Sequence, residues 1–245
     1  MASAAALSFC HSRMTRGLWN ANLPAMCGRF AITLPSDAMA QLFASAPDND
    51  LPNVPNFNVC PTTQVHTVIA GDNGRRLRPM RWGFLPHWYK SPSDGPLLIN
   101  ARAETIAEKP AFRAACRERR CIIPATGFYE WTKDEDGNRL PWYITKTDAS
   151  PIAFAGVWQV WDKGESPLTT CAIVTTTAQG PVDQVHHRMP VTLPSEDWGL
   201  WLGEEGKGAA TLMQDPPHDF AFHRVDRAVN SNRASGPELI DPLDM

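Results

Sequence analysis

Residues 120–132 read RCIIPATGFYEWT, and the fold class follows from this stretch and its neighbours. Two strand-like runs, 120–124 and 126–132, meet here at a short break. Three more runs follow, at 141–146, 152–161 and 169–177, several of them separated by Gly, Pro or Asp turns. Helical patterns do not alternate regularly with these strands, so a doubly wound parallel sheet is excluded. The sequence predicts an α+β fold on a mostly antiparallel sheet that is curved or barrel-like.

The flanking sequence adds a few helices and further strands. The pattern predicts a helix from Ser36 to Ala44, capped by Ser36-Asp37, and another from Pro110 to Arg119. The Pro- and Asn-rich residues 47–64 are interpreted as a loop. Other predicted elements are strands at 65–70, 77–84 and 219–225 and helices near 195–202 and 207–214. Without a linker or a repeat, the chain is predicted to form one domain, 27–240, with a tail at 241–245.

The composition is that of a globular protein. The chain has 245 residues, of which 43% are hydrophobic and 20% charged, and no run of 18 apolar residues predicts a membrane span. Its 22 prolines favour short strands and loops over a helical bundle. None of the six cysteines forms a CxxC pair, so we expect no metal site and reduced thiols, in the cytoplasm or, in a bacterium, at the nucleoid.

The net charge of −3 hides an asymmetry between the two halves of the chain. Residues 28–130 carry 12 basic and 9 acidic side chains, whereas residues 131–245 carry 9 basic and 17 acidic ones. A non-specific polyanion binder is normally basic overall, so this chain can bind nucleic acid only through a local patch. Its cations are 17 Arg and 6 Lys, and the arginine fork suits phosphate oxygens.

The sequence Met26-Cys27-Gly28-Arg29-Phe30 contains an unusual candidate nucleophile. Residues 1–26 are interpreted as an extension that is absent or removed in the active protein. Cys27 would then be N-terminal, with an α-amine and a thiol that both titrate near neutrality, at roughly 7.7–8.0 and about 8.5. Such an aminothiol can condense with an aldehyde to a Schiff base and close to a thiazolidine ring. The alternative from residue type alone is an ordinary buried cysteine.

Two other motifs carry polar groups at strand-like positions. In the run INARAET at 99–105, Asn100 offers one acceptor and two donors, and Arg102 can fork onto a phosphate. The alternative is a turn Asn beside a surface ion pair of Arg102 and Glu104. In GFYEW at 127–131, a carboxylate among aromatic residues can act as a general acid or base after desolvation. The alternative is a solvent-facing Glu130 on a half-exposed strand.

A fourth motif is HHRMP at 186–190, which follows the strand-like VTTTA at 174–178. A histidine beside an arginine can move protons next to an anion site. The alternatives are a metal ligand, which lacks a third ligand nearby in the sequence, and a simple loop histidine.

These motifs together resemble those of the SOS-response-associated peptidase (SRAP) family of abasic-site processing proteins. The resemblance rests on six segments in order: MCGRF at 26–30, FNVCPTT at 57–63, RWGFLPHW at 81–88, INARAET at 99–105, PATGFYEW at 124–131 and HHRMP at 186–190. It runs from Met26 to about Ile240, which is the whole predicted domain. Several separate motifs in the same order make it far more specific than any one of them.

The resemblance implies a fold, a chemistry and a set of residues. The fold would be SRAP-like, and the partner would be single-stranded DNA that contains abasic sites. The protein would crosslink to them through a thiazolidine, with lyase and self-processing peptidase activities, no cofactor and a monomeric state. The implied catalytic residues are Cys27, Asn100, Glu130 and His186. The implied DNA-binding residues are Arg29, Asn58, Pro61, Trp82, Arg102, Thr175 and Arg188. Trp82 and Trp88 are expected to stack on unpaired bases.

Two other classes of function fit parts of the sequence. A start of Met-Cys-Gly also fits an N-terminal-nucleophile amidase or glutamine amidotransferase, although Arg29-Phe30 departs from that family's glycine-rich continuation. A non-catalytic single-stranded DNA-binding module, with an inert Cys27, is the other alternative.

Overall fold

The protein, seen in a computed structural model, is described over residues 28–243. Residues 1–27, with the predicted extension and Cys27, lie outside the described residues. The strands are β1 (Arg29–Ile32), β2 (Ser45–Pro47), β3 (Asn56–Val59), β4 (Gln64–Ile69), β5 (Arg75–Trp82), β6 (Asn100–Arg102), β7 (Arg120–Ala125), β8 (Gly127–Lys133), β9 (Arg139–Lys146), β10 (Ile152–Trp161), β11 (Leu168–Thr177), β12 (Arg188–Pro190) and β13 (Phe220–Arg224). The α-helices are α1 (Ser36–Leu42), α2 (Arg113–Glu118) and α3 (Trp198–Leu202). Five short 3₁₀-helices, all after residue 179 in the described part, lie at Gly180–Gln184, Ser195–Asp197, Ala209–Met213, Arg227–Asn230 and Pro237–Ile240.

Five of these strands close into a barrel. Strand β4 pairs with β5 and β7, β7 pairs with β10, and β10 pairs with β11, all antiparallel. The ring closes through a short parallel contact between β11 and β5, with Cys171 opposite Trp82. Strands β2, β6 and β12 extend the sheet outside the ring. The predicted α+β class with a mostly antiparallel, barrel-like sheet is confirmed.

A second sheet of five strands, in the order β13–β9–β8–β1–β3, packs against the barrel. Aromatic rings fill the space between them: Phe128 contacts Phe154 of the barrel at a centroid distance of 5.9 Å, and Phe30 contacts Trp82 at 5.2 Å. The outer face of this sheet is covered by a smaller apolar cluster that includes Val225, Val229 and Leu239. Strand β8 is therefore buried on both faces, and this buries its polar residue Glu130.

Most predicted strands match the structure, and the differences have local causes. The predicted cap of α1 is wrong: Ser36 is the first helical residue, Pro35 precedes it, and no side-chain cap bond is present. The predicted helix at 110–119 begins only at Arg113, after a series of turns. Residues 47–64 are not all loop, because β3 pairs there with β1. Strands of three or four residues, such as β1, β6 and β12, are too short to show a periodic pattern.

Among residues 28–243, no helix combines the length and the apolar character needed to cross a membrane.

Candidate functional site

The C-terminal end of β11 organises the site. Strand β6 runs parallel to β11 along one edge, so that Arg102 lies opposite Thr175 and Asn100 opposite Ile173. At the same end β12 pairs antiparallel with β11, so that Arg188 lies opposite Thr177. One strand end therefore holds both the segment with Asn100 and Arg102 and the segment that follows His186.

Glu130 is a fully buried carboxylate in the middle of β8, with 0% of its surface exposed. Its neighbour Tyr129 lies opposite Arg29 in the pairing of β8 with β1. The start of β1, directly after residue 28, is therefore next to Glu130. The alternative interpretation of Glu130 as a solvent-facing strand residue is wrong, because both faces of β8 are covered.

His186 lies within ion-pair reach of Glu130, with its Nδ1 3.8 Å from Oε1. The amide of Arg188 donates to the same Nδ1 over 3.1 Å, and the carbonyl oxygen of Arg188 is also 3.1 Å away. Burial lowers the pKa of His186; the hydrogen bond with the backbone of Arg188 opposes this shift, and the neighbouring His187 and Arg188 add to it, so the net direction is downward. At neutral pH the ring is therefore neutral.

Arg188 is buried, with 7% of its surface exposed, and its guanidinium is already bound. Glu104 accepts from it at both ends, with Nη1–Oε1 at 2.6 Å and Nη2–Oε2 at 2.9 Å. The carbonyl oxygen of Thr175 also accepts from Nη2, over 2.7 Å. The alternative of an ion pair between Arg102 and Glu104 is thus wrong, since Glu104 pairs with Arg188. Thr175 is fully buried and contributes its backbone to this arrangement.

Arg29 and Asn58 are joined to each other. The Nη1 of Arg29 donates to Oδ1 of Asn58 over 2.7 Å and to the carbonyl of Val229 over 2.9 Å. The amide of Asn58 donates to the carbonyls of Ser231 and Ala234, at 3.0 and 2.8 Å. Asn58 is buried, so it fastens the C-terminal segment to β3 and holds Arg29 in place.

Trp82 does not contact solvent: 0% of its surface is exposed, and it packs in the core beside Phe30. Base stacking by Trp82 is therefore incompatible with the structure, which corrects that expectation. Its indole N–H donates to the carbonyl of Ile99 over 2.9 Å, so Trp82 holds the residue before Asn100. The backbone carbonyl of Trp82 accepts from Thr62, next to the half-buried Pro61. Trp88, in contrast, is 46% exposed.

Sequence reasoning missed two residues at this site. The sequence predicts Glu104 only as a surface residue, because its contact with Arg188, 84 residues away, has no local signal. Arg139 lies on the hairpin strand β9, opposite Lys133, with its guanidinium 4.4 Å from the ring centroid of Trp131. Because Arg139 lies outside the predicted strand at 141–146, the sequence pattern does not place it near Trp131.

Among the predicted residues, His186 lies beside Glu130, and both His186 and Thr175 contact Arg188. Asn100 and Arg102 lie on β6, which pairs with β11 next to Thr175. Arg102 is exposed, unlike Arg188. Cys27 lies outside the described residues. Within residues 28–243, no group of three or more His, Cys, Asp or Glu side chains is arranged to hold a metal ion.

Comparisons with known proteins find a matching family, relatives of similar length and a similar crystal structure. The family model of "SOS response associated peptidase (SRAP)" matches residues 26–232. The chain is 36% identical to the abasic site processing protein YoqW of Bacillus subtilis, over 88% of this chain and 99% of that protein. It is 33% identical to YedK of Escherichia coli, which carries the same description, over 89% and 100%. A crystal structure of a protein from Bacteroides thetaiotaomicron superposes with a TM-score of 0.76 and 25% identity, over 89% of this chain and all of that one.

Proposed function

This chain belongs to the SOS response associated peptidase family, and from that premise we propose that it recognises abasic sites in single-stranded DNA and bonds to them covalently through Cys27. Its relatives YoqW and YedK are described as abasic site processing proteins, which supports the substrate. The covalent step is inferred from the chemistry of the residues.

One observation carries the proposal. Glu130 is fully buried, its carboxylate lies 3.8 Å from the imidazole of His186, and its strand pairs with the residues that follow Cys27. A buried carboxylate paired with a neutral histidine is suited to moving protons. Cys27 is bonded to Gly28, which directly precedes β1, and β1 pairs with the strand of Glu130; the proposal therefore has the α-amine act beside this pair.

The reaction requires the aldehyde of the abasic sugar, which forms when the closed sugar ring opens. His186 takes the proton of the anomeric hydroxyl and passes a proton to the ring oxygen; the bond between the anomeric carbon and the ring oxygen breaks, and the aldehyde carbonyl forms. The α-amine of Cys27 then adds to the aldehyde carbon, and loss of water gives a Schiff base. Glu130 takes the proton from the amine and assists the loss of water, while Asn100 orients the amine or the hydroxyl.

The thiol of Cys27 completes the adduct. Its thiolate adds to the carbon of the Schiff base, the nitrogen takes up a proton, and a five-membered thiazolidine results. If the Schiff base persists instead, loss of a proton from the neighbouring carbon expels the 3′ phosphate. That side reaction is a lyase activity.

Single-stranded DNA would be held by arginines and exposed aromatic groups. Arg102 is exposed beside Asn100 and is suited to a phosphate. Trp88 is suited to stacking on a base. Arg29 remains partly exposed while it is bound to Asn58, so it can hold the DNA strand next to β1.

The chemistry requires a free α-amine on Cys27. We therefore propose that residues 1–26 are removed or not translated, with self-processing as one route, and that residues 27–240 act as one domain. The protein would act as a monomer on DNA in the cytoplasm or nucleoid.

The test is incubation of the protein that begins at Cys27 with a single-stranded oligonucleotide containing one abasic site. We expect a product that survives denaturation and needs no reductant. Cys27→Ala retains an N-terminal amine, so borohydride should still trap its Schiff base, but the stable product should vanish. Cys27→Ser should give none or a weaker, labile one.

Three results would contradict the proposal. A stable product from Cys27→Ala would assign the bond to another amine, such as a lysine. Hydrolysis of glutamine without any DNA product would favour an amidotransferase. Reversible DNA binding alone, by the protein with a free Cys27, would favour a non-catalytic module.

A further inference from the structure

The ion pair between Glu104 and Arg188 joins the two segments that carry the proposed proton-transfer and orienting groups. Glu104 follows Asn100 and Arg102 on the segment of β6, and Arg188 follows His186 at the start of β12. Both oxygens of Glu104 accept from Arg188, at 2.6 and 2.9 Å. Bidentate pairs of this kind fix geometry as well as adding attraction.

The position of Arg188 is coupled directly to that of His186. The backbone amide and carbonyl of Arg188 both lie 3.1 Å from Nδ1 of His186. Its side chain is held on the other side by Thr175 and by Glu104. A shift of the guanidinium would therefore move the backbone that sets the ring orientation of His186.

The same pair balances charge near the imidazole. The charged and titratable groups around His186, among the described residues, are Glu130 on β8 and His187 and Arg188 on its own segment. Arg188 lowers the pKa of His186, and Glu104 offsets that positive charge. The hydrogen bond from Arg188 in turn holds the pKa of Glu104 below its ordinary range, so the carboxylate stays charged.

We propose that Glu104 is a positioning residue for the crosslinking reaction: it clamps Arg188, and through Arg188 it fixes the orientation of His186 toward Glu130. This inference rests on the proposed function. It also assigns the buried Arg188 an internal role, whereas the exposed Arg102 remains free for a phosphate. A competing possibility is that Glu104 occupies Arg188 until a DNA phosphate displaces it.

The experiment compares Glu104→Gln with Glu108→Gln, which removes the same charge from an exposed residue four positions away that has no ion pair within residues 28–243. We expect Glu104→Gln to slow adduct formation at saturating abasic DNA by about tenfold to a hundredfold, the scale of misplacing a reacting group by about 1 Å. DNA affinity should stay within about twofold, because binding does not require the clamp. Glu104→Asp should restore part of the rate.

An NMR titration of the histidine rings supplies a readout that does not depend on crosslinking. The His186 signal is identified by its absence from His186→Asn. In Glu104→Gln the pKa of His186 should fall, because the charge of Arg188 is no longer offset, whereas Glu108→Gln should leave it in place. If the wild-type protein formed no adduct, the proposed function would fail while this titration still tested the clamp.

Two outcomes would overturn the inference. An unchanged rate and an unchanged His186 titration in Glu104→Gln would make the pair incidental. A higher DNA affinity at an unchanged rate would show that Glu104 instead competes with the DNA phosphate for Arg188.

Discussion

At the scale of single residues, burial separates groups that act on the substrate from groups that hold them. Glu130 and His186 are near each other and away from bulk water, which suits proton transfer. Trp82 and Asn58, grouped with the DNA contacts by resemblance, are instead tied into the protein through the carbonyls of Ile99, Ser231 and Ala234. A sequence motif identifies which positions matter but does not distinguish these two kinds of role.

Glu130→Gln tests the proton-transfer role. The amide keeps the size of the side chain and its hydrogen bonding but cannot accept the proton of the amine. We expect adduct formation to slow by roughly 10²–10⁴, the usual contribution of general acid–base catalysis, with DNA affinity nearly unchanged. Single-turnover kinetics measure the rate, and Glu135→Gln, on the exposed turn after β8, is the matched control. A wild-type rate in Glu130→Gln would make Glu130 a purely structural residue.

Arg102→Ala tests the phosphate contact. Because this exposed arginine lies beside Asn100, its removal should weaken binding of abasic DNA without abolishing crosslinking at saturation. The slope of log K against log salt should become shallower by about 0.7, the contribution of one phosphate on a single strand. Binding titrations at several salt concentrations measure this, with the exposed Arg117→Ala on α2 as the control. An unaltered slope would exclude an ionic contact by Arg102.

At the scale of secondary structure, the sequence predicted the long strands and missed the short ones. Strands β7, β8, β10 and β11 are visible because six to ten residues carry a strand pattern between turns. Strand β6 has three residues and is defined only by its pairing with β11. The contact between Glu104 and Arg188 depends on that pairing and on β12, so local sequence could not predict it.

Gly127→Ala tests the packing of β8 against Tyr143 on β9. The added methyl group would collide with the ring of Tyr143 on β9, which lies directly over Gly127. We expect a loss of roughly 1–3 kcal/mol in the free energy of unfolding, typical of overpacking. Tyr143→Leu removes the colliding ring, so the double variant should lose less than the sum of the two single variants. Urea denaturation measures all three, and strict additivity would show that the ring does not oppose the methyl group.

At the scale of the whole molecule, the sequence predicts the barrel-like class but not the pairing of strands that closes the barrel. The strand patterns indicate an antiparallel sheet, whereas the ring closes through only two parallel residue pairs between β11 and β5. The apolar cluster that covers β8 also comes from distant residues 225–240. The packing of β8 therefore depends on contacts that no local pattern around residue 130 contains.

The pH dependence of stability should report on the buried barrel residue His66. Burial lowers the pKa of His66 to about 4, whereas an unfolded histidine titrates near 6.5. Between about pH 6.5 and 4 the unfolded chain takes up a proton that the folded protein does not, so stability falls as the pH falls. His66 contributes about 1.4 kcal/mol per pH unit to this slope.

Unfolding of wild type and His66→Gln at several pH values measures that contribution. The variant should lose less stability than wild type on acidification, since other groups titrate alike in both. Parallel curves for the two proteins would mean that His66 is protonated equally in the folded and unfolded states.

Mass spectrometry of the digested DNA adduct can locate the bond between Cys27 and the abasic sugar. We expect a peptide that begins at Cys27, with the sugar remnant attached and one water lost. Fragmentation should place the remnant on residue 27 without any reductant. An adduct on a lysine, or one formed on a chain that keeps residues 1–26 attached, would show that the α-amine of Cys27 is not the reacting group.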